Sequence, residues 1–309
     1  MDIQLTPEGP LDVFLTLARY RIWGEDPANR LGDGVFRRVL PLDGRLHGYT
    51  LRWSGPPDDP RLTIRLAGSR ARRAGEAVCA EVRRLLFLEA DLAGFYRMAK
   101  ADRVLQGLIA PFYGMRPTLA ANPFEMLVGA ITAQQVNLTF ALTTRARLVR
   151  RFGCPVQVEG ETVYAFPTAE VLARATVRDL RRMQFSTRKA EYIIGLARRV
   201  SCSELAFERL TSLSNEQVIA ELTKVRGLGR WTAEWFLARQ LGRGDVCPAG
   251  DLGVRKCFAH FYARGRALTE RAIRRRAAAW SRHQNLAVHY LLAGHRRLRG
   301  RSGDGTWAD

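Results

Sequence analysis

A chain of 309 residues is long enough for about two domains with cores of their own, so no disulfide or metal is needed to stabilise it. The hydrophobic share of 47% and the charged share of 26% are ordinary for soluble globular proteins and exclude disordered and fibrous classes. The 49 Lys and Arg residues exceed the 30 Asp and Glu residues by 19. That excess favours a polyanionic partner, nucleic acid before an anionic membrane surface.

Cysteine spacing and the start of the chain bear on metal, redox and membrane roles. The five cysteines are widely spaced without a Cys-x-x-Cys pair, which disfavours a disulfide framework, a four-thiolate zinc site and an iron–sulfur cluster. No apolar run approaches the roughly 18 residues of a membrane span, and the first residues lack the basic and apolar regions of a signal peptide. We expect a soluble, cytoplasmic, monomeric protein with no metal site.

Gly, Pro and Asp punctuate the first 98 residues, which predict a small antiparallel sheet with one or more helices. Alternating segments at 35–40, 48–53 and 61–66 predict strands, the last with its arginines facing water. The segment 76–88 carries apolar residues at helical spacing and predicts a helix. We therefore assign residues 1–98 to an N-terminal α+β domain.

From about residue 97 onward the pattern predicts helices alone. Asn122 precedes a Pro and a Glu as a helix cap would, and Ser214 begins a Ser-x-x-Gln capping box. We expect one helix to run from Asn122 to the Gln134-Gln135 pair and the next to begin near Gln135. The basic tail 296–309 is expected to fray. The remaining predicted helices cover 168–173, 186–200, 215–225, 230–241, 251–262, 269–276 and 285–292, with a further one starting at 176.

Two of these helices are joined by a tight turn that reads Arg-Gly-Leu-Gly-Arg at 226–230. Gly227 and Gly229 permit positive φ and the close approach of another backbone. The free N–H groups that open the second helix favour an anion, so the turn would suit a phosphate without reading sequence. A glycine-terminated helix with a short connection is an equally good interpretation.

Asp251 begins another helix about twenty residues beyond the turn. Asp is a favoured N-cap, and capping alone explains the residue type. On the residue pattern alone, a helix cap is the favoured interpretation.

Taken together, these stretches resemble the helix-hairpin-helix (HhH-GPD) DNA glycosylase superfamily, most closely its bacterial 3-methyladenine DNA glycosylase II (AlkA-like) branch. Residues 226–233, Arg-Gly-Leu-Gly-Arg-Trp-Thr-Ala, fit the hairpin, with an aromatic following at Trp235. Asp251 fits the catalytic Asp. Residues 122–153, which include Ile-Thr-Ala-Gln-Gln-Val at 131–136, resemble the segment that enters the DNA stack. The strand-rich N-terminus resembles the extra domain of that branch, so the likeness covers most of the chain.

The resemblance implies an α+β fold, with a small N-terminal antiparallel sheet domain followed by a two-lobed all-helical HhH-GPD glycosylase core. The implied core is 99–300, with one lobe at 121–243 that contains the hairpin 214–241, a second lobe formed by 99–120 and 244–300, and a basic tail at 301–309.

The resemblance also implies a bacterial, nucleoid-associated repair enzyme that acts on double-stranded DNA containing damaged bases. It would flip the damaged nucleotide into a pocket and hydrolytically excise an alkylated purine such as 3-methyladenine, leaving an abasic site. The family suggests a monovalent cation held by carbonyls of the hairpin turn, although no sequence feature indicates one. No other cofactor is expected.

Roles for individual residues follow from the same resemblance. Asp251 would be catalytic, and Gln135 would act as the wedge that fills the gap left by the flipped nucleotide, unless it is a helix cap. Trp231 and Trp235, four residues apart, and His283 would line the base pocket, since indoles attract cationic alkylated bases; core packing is the alternative for the two tryptophans. The residues expected to hold DNA are Arg226, Gly227, Leu228, Gly229, Arg230 and Thr232.

Two departures from the family pattern leave alternatives open. Glycosylases that also nick the strand carry a Lys at the position of Trp231, so its absence implies a monofunctional, water-using enzyme. Where the AlkA-like pattern has Trp or Tyr followed by Arg, this chain has His283 and Gln284. A same-fold glycosylase for a deaminated or oxidised base therefore remains an alternative. Another is a non-catalytic HhH DNA-binding protein. A membrane partner is not expected, because the helix at 271–276 lacks a bulky apolar face.

Overall fold

The computed structural model describes residues 2–67 and 72–301, with side chains to residue 298. Its first part is a five-stranded antiparallel sheet in the order β1-β5-β4-β3-β2. The three predicted strands are confirmed; the two outer strands were not predicted. The strands are β1 (Asp2–Leu5), β2 (Arg30–Gly32), β3 (Val35–Leu42), β4 (Arg45–Ser54) and β5 (Arg61–Leu66).

Three helices accompany the sheet: α1 (Val13–Leu17), α2 (Arg19–Ile22) and α3 (Arg72–Leu85). The predicted helix at 76–88 is α3, which starts and ends a few residues earlier than expected. It ends there because Phe87 adopts a positive φ of 48°. Apolar residues of α3 pack with the inner face of the sheet in one cluster, which buries Val78, Val82, Leu85, Phe36, Tyr49, Leu51 and Ile64.

Helices dominate the chain from residue 92 onward and share a second, larger core. The predicted caps are confirmed: Asn122 accepts hydrogen bonds from two amides of the helix that follows it, and Ser214 forms the complete capping box. The helices are α4 (Leu92–Ala99), α5 (Arg103–Ile109), α6 (Pro123–Ala133), α7 (Leu138–Phe152), α8 (Ala169–Ala173), α9 (Val177–Arg182), α10 (Thr187–Ser201), α11 (Asn215–Thr223), α12 (Arg230–Arg239), α13 (Leu252–Tyr262), α14 (Glu270–Ala278) and α15 (Gln284–Arg301).

One β-hairpin interrupts this helical part, so the expectation of helices alone beyond residue 97 was wrong there. Strands β6 (Cys154–Val158) and β7 (Glu161–Ala165) pair through a two-residue turn, Glu159-Gly160, whose φ angles are both positive. The alternating apolar residues of the hairpin cover Val39 on the outer face of β3. This packing explains why so short a hairpin is stable, since an isolated two-stranded ribbon is marginal in water.

Two expected boundaries also differ from the structure. The helix predicted to start near Gln135 starts at Leu138, because Gln135 adopts a φ of 54° and Asn137 then caps α7. The tail expected to fray from residue 296 is helical as far as residue 301, as part of α15. The rest of the predicted tail, 302–309, lies outside the described residues.

A buried ion network joins the sheet to the helical core. Glu125, in the first turn of α6, lies 2.7 Å from Nη2 of Arg38 on β3 and 2.8 Å from Nη2 of Arg145 on α7. Arg145 also pairs with Asp26 at 3.2 Å. Burial alone would raise the pKa of Glu125, but the two guanidinium groups outweigh it and lower that pKa to about 2. The carboxylate is therefore charged, and the two parts of the chain are fixed to each other.

Across residues 2–67 and 72–301, no helix combines the length and the apolar character that crossing a membrane requires.

Candidate active site

The predicted hairpin is formed by α11, a tight turn and α12. Gly227 in the turn has a φ of 95°, and a Cβ atom there would lie 2.3 Å from the ring of Tyr192. Its carbonyl accepts a hydrogen bond from Nε2 of Gln134 at 2.8 Å, so the turn contacts the end of α6. Gly229 is different: it is the N-cap of α12 with a φ of −101°, and the space beside it is open. Only Gly227 therefore needs positive φ, whereas Gly229 leaves the helix start accessible.

The side chains predicted to bind DNA at the hairpin are not equally available. Arg226 and Arg230 are at the surface but pair with carboxylates on α10 and α11, at 3.1 and 2.9 Å. The pair of Arg226 is exposed on both sides and therefore weak. Arg230 is held more firmly, because its Nε also lies 3.0 Å from the buried carboxylate of Glu234. Leu228 and Thr232 are 4% and 1% exposed. At the start of α12, backbone N–H groups and the two arginines are therefore available to a ligand. The buried side chains of Leu228 and Thr232 support the turn instead.

Asp251 caps α13 and is also held by both predicted pocket tryptophans. Its Oδ1 accepts a hydrogen bond from the backbone N–H of Val254 at 2.9 Å. Its Oδ2 accepts hydrogen bonds from Nε1 of Trp231 at 2.8 Å and Nε1 of Trp235 at 3.2 Å. Capping therefore accounts for only one of the two oxygens. The other is fixed by two indole groups from the helix that follows the hairpin.

The two tryptophans differ in what their rings contact. Trp235 is 8% exposed, the guanidinium of Arg239 lies 4.6 Å from its ring centroid, and His289 approaches edge-on at 5.8 Å. One face of Trp235 is thus already occupied by a cation. Trp231 is half-buried and makes only the hydrogen bond to Asp251 among its polar contacts within the described chain. Trp231 is consequently the more accessible of the two indoles.

His283 contacts α4. Its Nε2 lies 3.2 Å from Oδ2 of Asp91, the cap of that helix, and its ring lies 6.4 Å from the ring of Phe95. The role of His283 in the base pocket stays a prediction.

Gln135, the predicted wedge, is exposed at the turn between α6 and α7. Its positive φ of 54° is uncommon for a residue with a side chain. Next to it is a groove lined by Gln134, Phe140, Gln184 and Lys189. Because Gln134 hydrogen-bonds to the hairpin turn, Gln135 and the hairpin are held at a fixed separation.

Several charged groups near Trp235 belong to no motif and were missed from sequence. Arg239 and His289 contact the Trp235 ring. Burial and the charge of Arg239 lower the pKa of His289, and Arg19 and Arg296 lower it further. One signal was present, since Arg239 follows Trp235 by four residues, as Trp235 follows Trp231. The residues contributed by α2 and α15 had no comparable signal.

Acidic, His and Cys side chains do not group as metal ligands: among the described residues, no cluster of three or more could hold an ion. Burial raises the pKa values of the Cys247 and Cys257 thiols to about 12, so both stay protonated at neutral pH.

The sequence and the fold of this chain are similar to those of known DNA repair proteins. The model of the HhH-GPD superfamily of base excision DNA repair proteins matches residues 128–283. A DNA-3-methyladenine glycosylase of Bacillus subtilis is 34% identical over 204 residues, which are 66% of this chain and 67% of that protein. The structure of a 3-methyladenine DNA glycosylase from Archaeoglobus fulgidus superposes with a TM-score of 0.85 at 30% identity, covering 96% of this chain and 99% of that one. A Schizosaccharomyces pombe 3-methyladenine DNA glycosylase in complex with abasic DNA superposes at 0.57 with 25% identity, over 66% of this chain and 97% of that one.

Proposed function

Because the chain belongs to the HhH-GPD superfamily of base excision DNA repair proteins, we propose that it is a DNA glycosylase that hydrolytically excises alkylated purines such as 3-methyladenine. The product would be an abasic site in double-stranded DNA. The names of the Bacillus and Archaeoglobus relatives support this substrate class.

The observation that carries the proposal is the setting of Asp251. Three N–H donors fix its carboxylate, two of them indoles on the helix that follows the hairpin. If the hairpin holds the DNA backbone, this carboxylate faces a flipped nucleotide in a fixed orientation. A preorganised negative charge stabilises the oxocarbenium-like sugar as the glycosidic bond breaks, and it can orient the attacking water.

The proposed reaction is monofunctional. A Schiff base needs an amine beside the sugar, but the corresponding position holds Trp231, whose indole N–H donates to Asp251. The side chain of Lys189 donates instead to the backbone carbonyl of Thr132 at 2.8 Å, on another helix. Water is then the nucleophile, and no covalent enzyme–DNA intermediate forms.

An excision assay on a panel of duplexes tests the proposal. Each duplex would carry one lesion, namely 3-methyladenine, 7-methylguanine, hypoxanthine or 8-oxoguanine, and hot alkali would reveal abasic sites. We expect excision of the alkylated purines. Release of deaminated or oxidised bases alone would favour the alternative substrate class. Binding to duplex DNA without release of any base would favour a non-catalytic DNA-binding protein.

A further inference from the structure

The two oxygens of the Asp251 carboxylate differ in how many hydrogen bonds they already accept. Each carboxylate oxygen can accept about two. Oδ2 accepts from Nε1 of Trp231 at 2.8 Å and from Nε1 of Trp235 at 3.2 Å. Among the described residues, Oδ1 accepts only from the backbone N–H of Val254, at 2.9 Å. The unused acceptor position is therefore on Oδ1.

Gly253, the second residue of α13, borders this oxygen. A Cβ atom at residue 253 would lie 3.0 Å from Oδ1 of Asp251 and 3.3 Å from Cδ2 of Leu292. Apart from its two chain neighbours and the backbone of its own helix, no other described atom lies within 4 Å of that position. Because residue 253 has no side chain, a small space remains between Oδ1 and Leu292.

Capping by Asp does not require a glycine at this position. Asp also caps α1, α4 and α5, and its side chain accepts hydrogen bonds from backbone N–H groups there, as it does in α13. The second residues of those three helices carry side chains and are Phe14, Ala93 and Val104. Gly is also a poorer helix former than Ala. The glycine at 253 therefore needs an explanation other than the cap.

The start of α13 is accessible from solvent. Leu252, which lies between Asp251 and Gly253 in the chain, is 64% exposed, the highest value among the large hydrophobic side chains that the structure describes. Asp251 and Gly253 themselves are half-buried. A nucleotide can therefore approach the carboxylate at this end of the helix.

We propose that Oδ1 of Asp251 is the oxygen that faces the reacting sugar, and that Gly253 is a positioning residue that keeps this oxygen accessible. The inference rests on the proposed function. Oδ2 fixes the orientation of the carboxylate through two indoles, while Oδ1 stabilises the positive charge that develops at C1′. A methyl group beside Oδ1 would hold the sugar farther away. Since the attraction of opposite charges weakens with distance, the reaction would slow although Asp251 keeps its charge.

Single-turnover excision of 7-methylguanine by the full chain tests the proposal with Gly253→Ala. We expect the rate to fall about tenfold or more. The melting temperature should stay unchanged or rise, because Ala favours a helix, and affinity for an undamaged duplex should not change. The matched control is Gly195→Ala, at an exposed glycine of α10 where a new Cβ meets no atom within 4 Å. It should leave the excision rate unchanged.

A double variant shows whether Gly253 acts through the carboxylate. Asp251→Asn already removes the charge that the new methyl group would keep from the sugar. Adding Gly253→Ala to Asp251→Asn should therefore change the excision rate less than about twofold, in contrast to its effect in the wild-type chain. A purely structural role of Gly253 would slow both proteins by the same factor.

The contrary outcomes are separable. A wild-type excision rate for Gly253→Ala would overturn the assignment of Oδ1. Equal slowing with and without Asp251→Asn would overturn it as well, and a clear fall in melting temperature would show that Gly253 serves packing against Leu292. Failure of the wild-type protein to excise any base in the panel would overturn the proposed function itself.

Discussion

The indole nitrogen of Trp231 lies 2.8 Å from Oδ2 of Asp251, a residue twenty positions further along the chain. Because of this contact, the carboxylate of Asp251 is held in a fixed orientation in addition to capping the helix. It also changes what a conservative substitution would do. An Asn at a simple N-cap is nearly neutral, but an Asn here presents an NH₂ group either to two indole N–H donors or to the amide of Val254.

The first prediction concerns Asp251→Asn. We expect single-turnover excision of 7-methylguanine to slow by about a hundredfold to a thousandfold, because the charge that stabilises the sugar cation is gone. The NH₂ group of the Asn would face N–H donors in place of an acceptor, which should also lower the free energy of unfolding by roughly 1–3 kcal/mol. Rates are to be compared well below the melting temperature of the variant.

A matched cap provides the control for this experiment. Asp12→Asn changes the cap of α1, where Asp12 accepts from the backbone N–H of Leu15 at 2.8 Å. It should leave excision unchanged. If Asp251→Asn excises at the wild-type rate while folded, Asp251 is only a cap.

The second prediction concerns the two hairpin glycines, Gly227 and Gly229, because only Gly227 is crowded by neighbouring atoms. Gly229→Asp places a favoured cap residue in open space, so the free energy of unfolding should stay within a few tenths of a kcal/mol or rise. The carboxylate would repel a phosphate, and affinity for any duplex should fall, with a weaker dependence on salt. Fluorescence anisotropy across a salt series measures both quantities.

Gly227→Ala is the counterpart to Gly229→Asp. Its Cβ would meet the ring of Tyr192 at 2.3 Å, in a backbone conformation that disfavours side chains, so we expect loss of stability in thermal unfolding. Unchanged DNA affinity of a folded Gly229→Asp protein would show that the helix start is not the DNA contact.

A third prediction concerns the reaction product. With Trp231 in place of an amine, excision should leave intact abasic sites, and borohydride should trap no covalent protein–DNA adduct. A bifunctional 8-oxoguanine glycosylase serves as the positive control for trapping. Efficient trapping with this protein would contradict a monofunctional reaction.

Acid stability gives a fourth prediction. The pKa of Glu125 is about 2 in the folded chain, below its ordinary value. The ion pairs of Glu125 therefore stabilise the fold fully above the pKa that this carboxyl group has in the unfolded chain. This stabilisation is lost as the pH falls toward 2. The melting temperature should therefore drop between about pH 4.5 and pH 2. Glu125→Gln should lower stability by roughly 3–5 kcal/mol at neutral pH and remove this part of the acid transition. An acid transition identical in both proteins would show that Glu125 does not contribute.

Sequence patterns were sufficient where local interactions decide the structure. The caps at Asn122 and Ser214 and the alternation in β5 depend on residues within a few positions, and they were predicted. The β6–β7 hairpin was missed because its stability depends on packing against β3, more than a hundred residues earlier.

In the candidate site, too, local patterns could be predicted and long-range contacts could not. Asp251 and the two tryptophans were found through a motif on neighbouring segments, but their shared hydrogen bonds depend on how α12 and α13 meet. The charged groups near Trp235 and His289 come from α2, α12 and α15, which only the tertiary fold brings together. The contact between His283 and Asp91 was not predicted, because nothing in the sequence pairs the two residues.

The ion network at Glu125 has a mechanical consequence for the turn that carries Gln135. Helix α6 is anchored at its first turn to Arg38 on the sheet, and at its far end Gln134 is tied to the hairpin. If Gln135 is the proposed wedge, the force that a DNA stack exerts on it is carried through α6 to the sheet. The N-terminal domain would then help to hold the wedge in place.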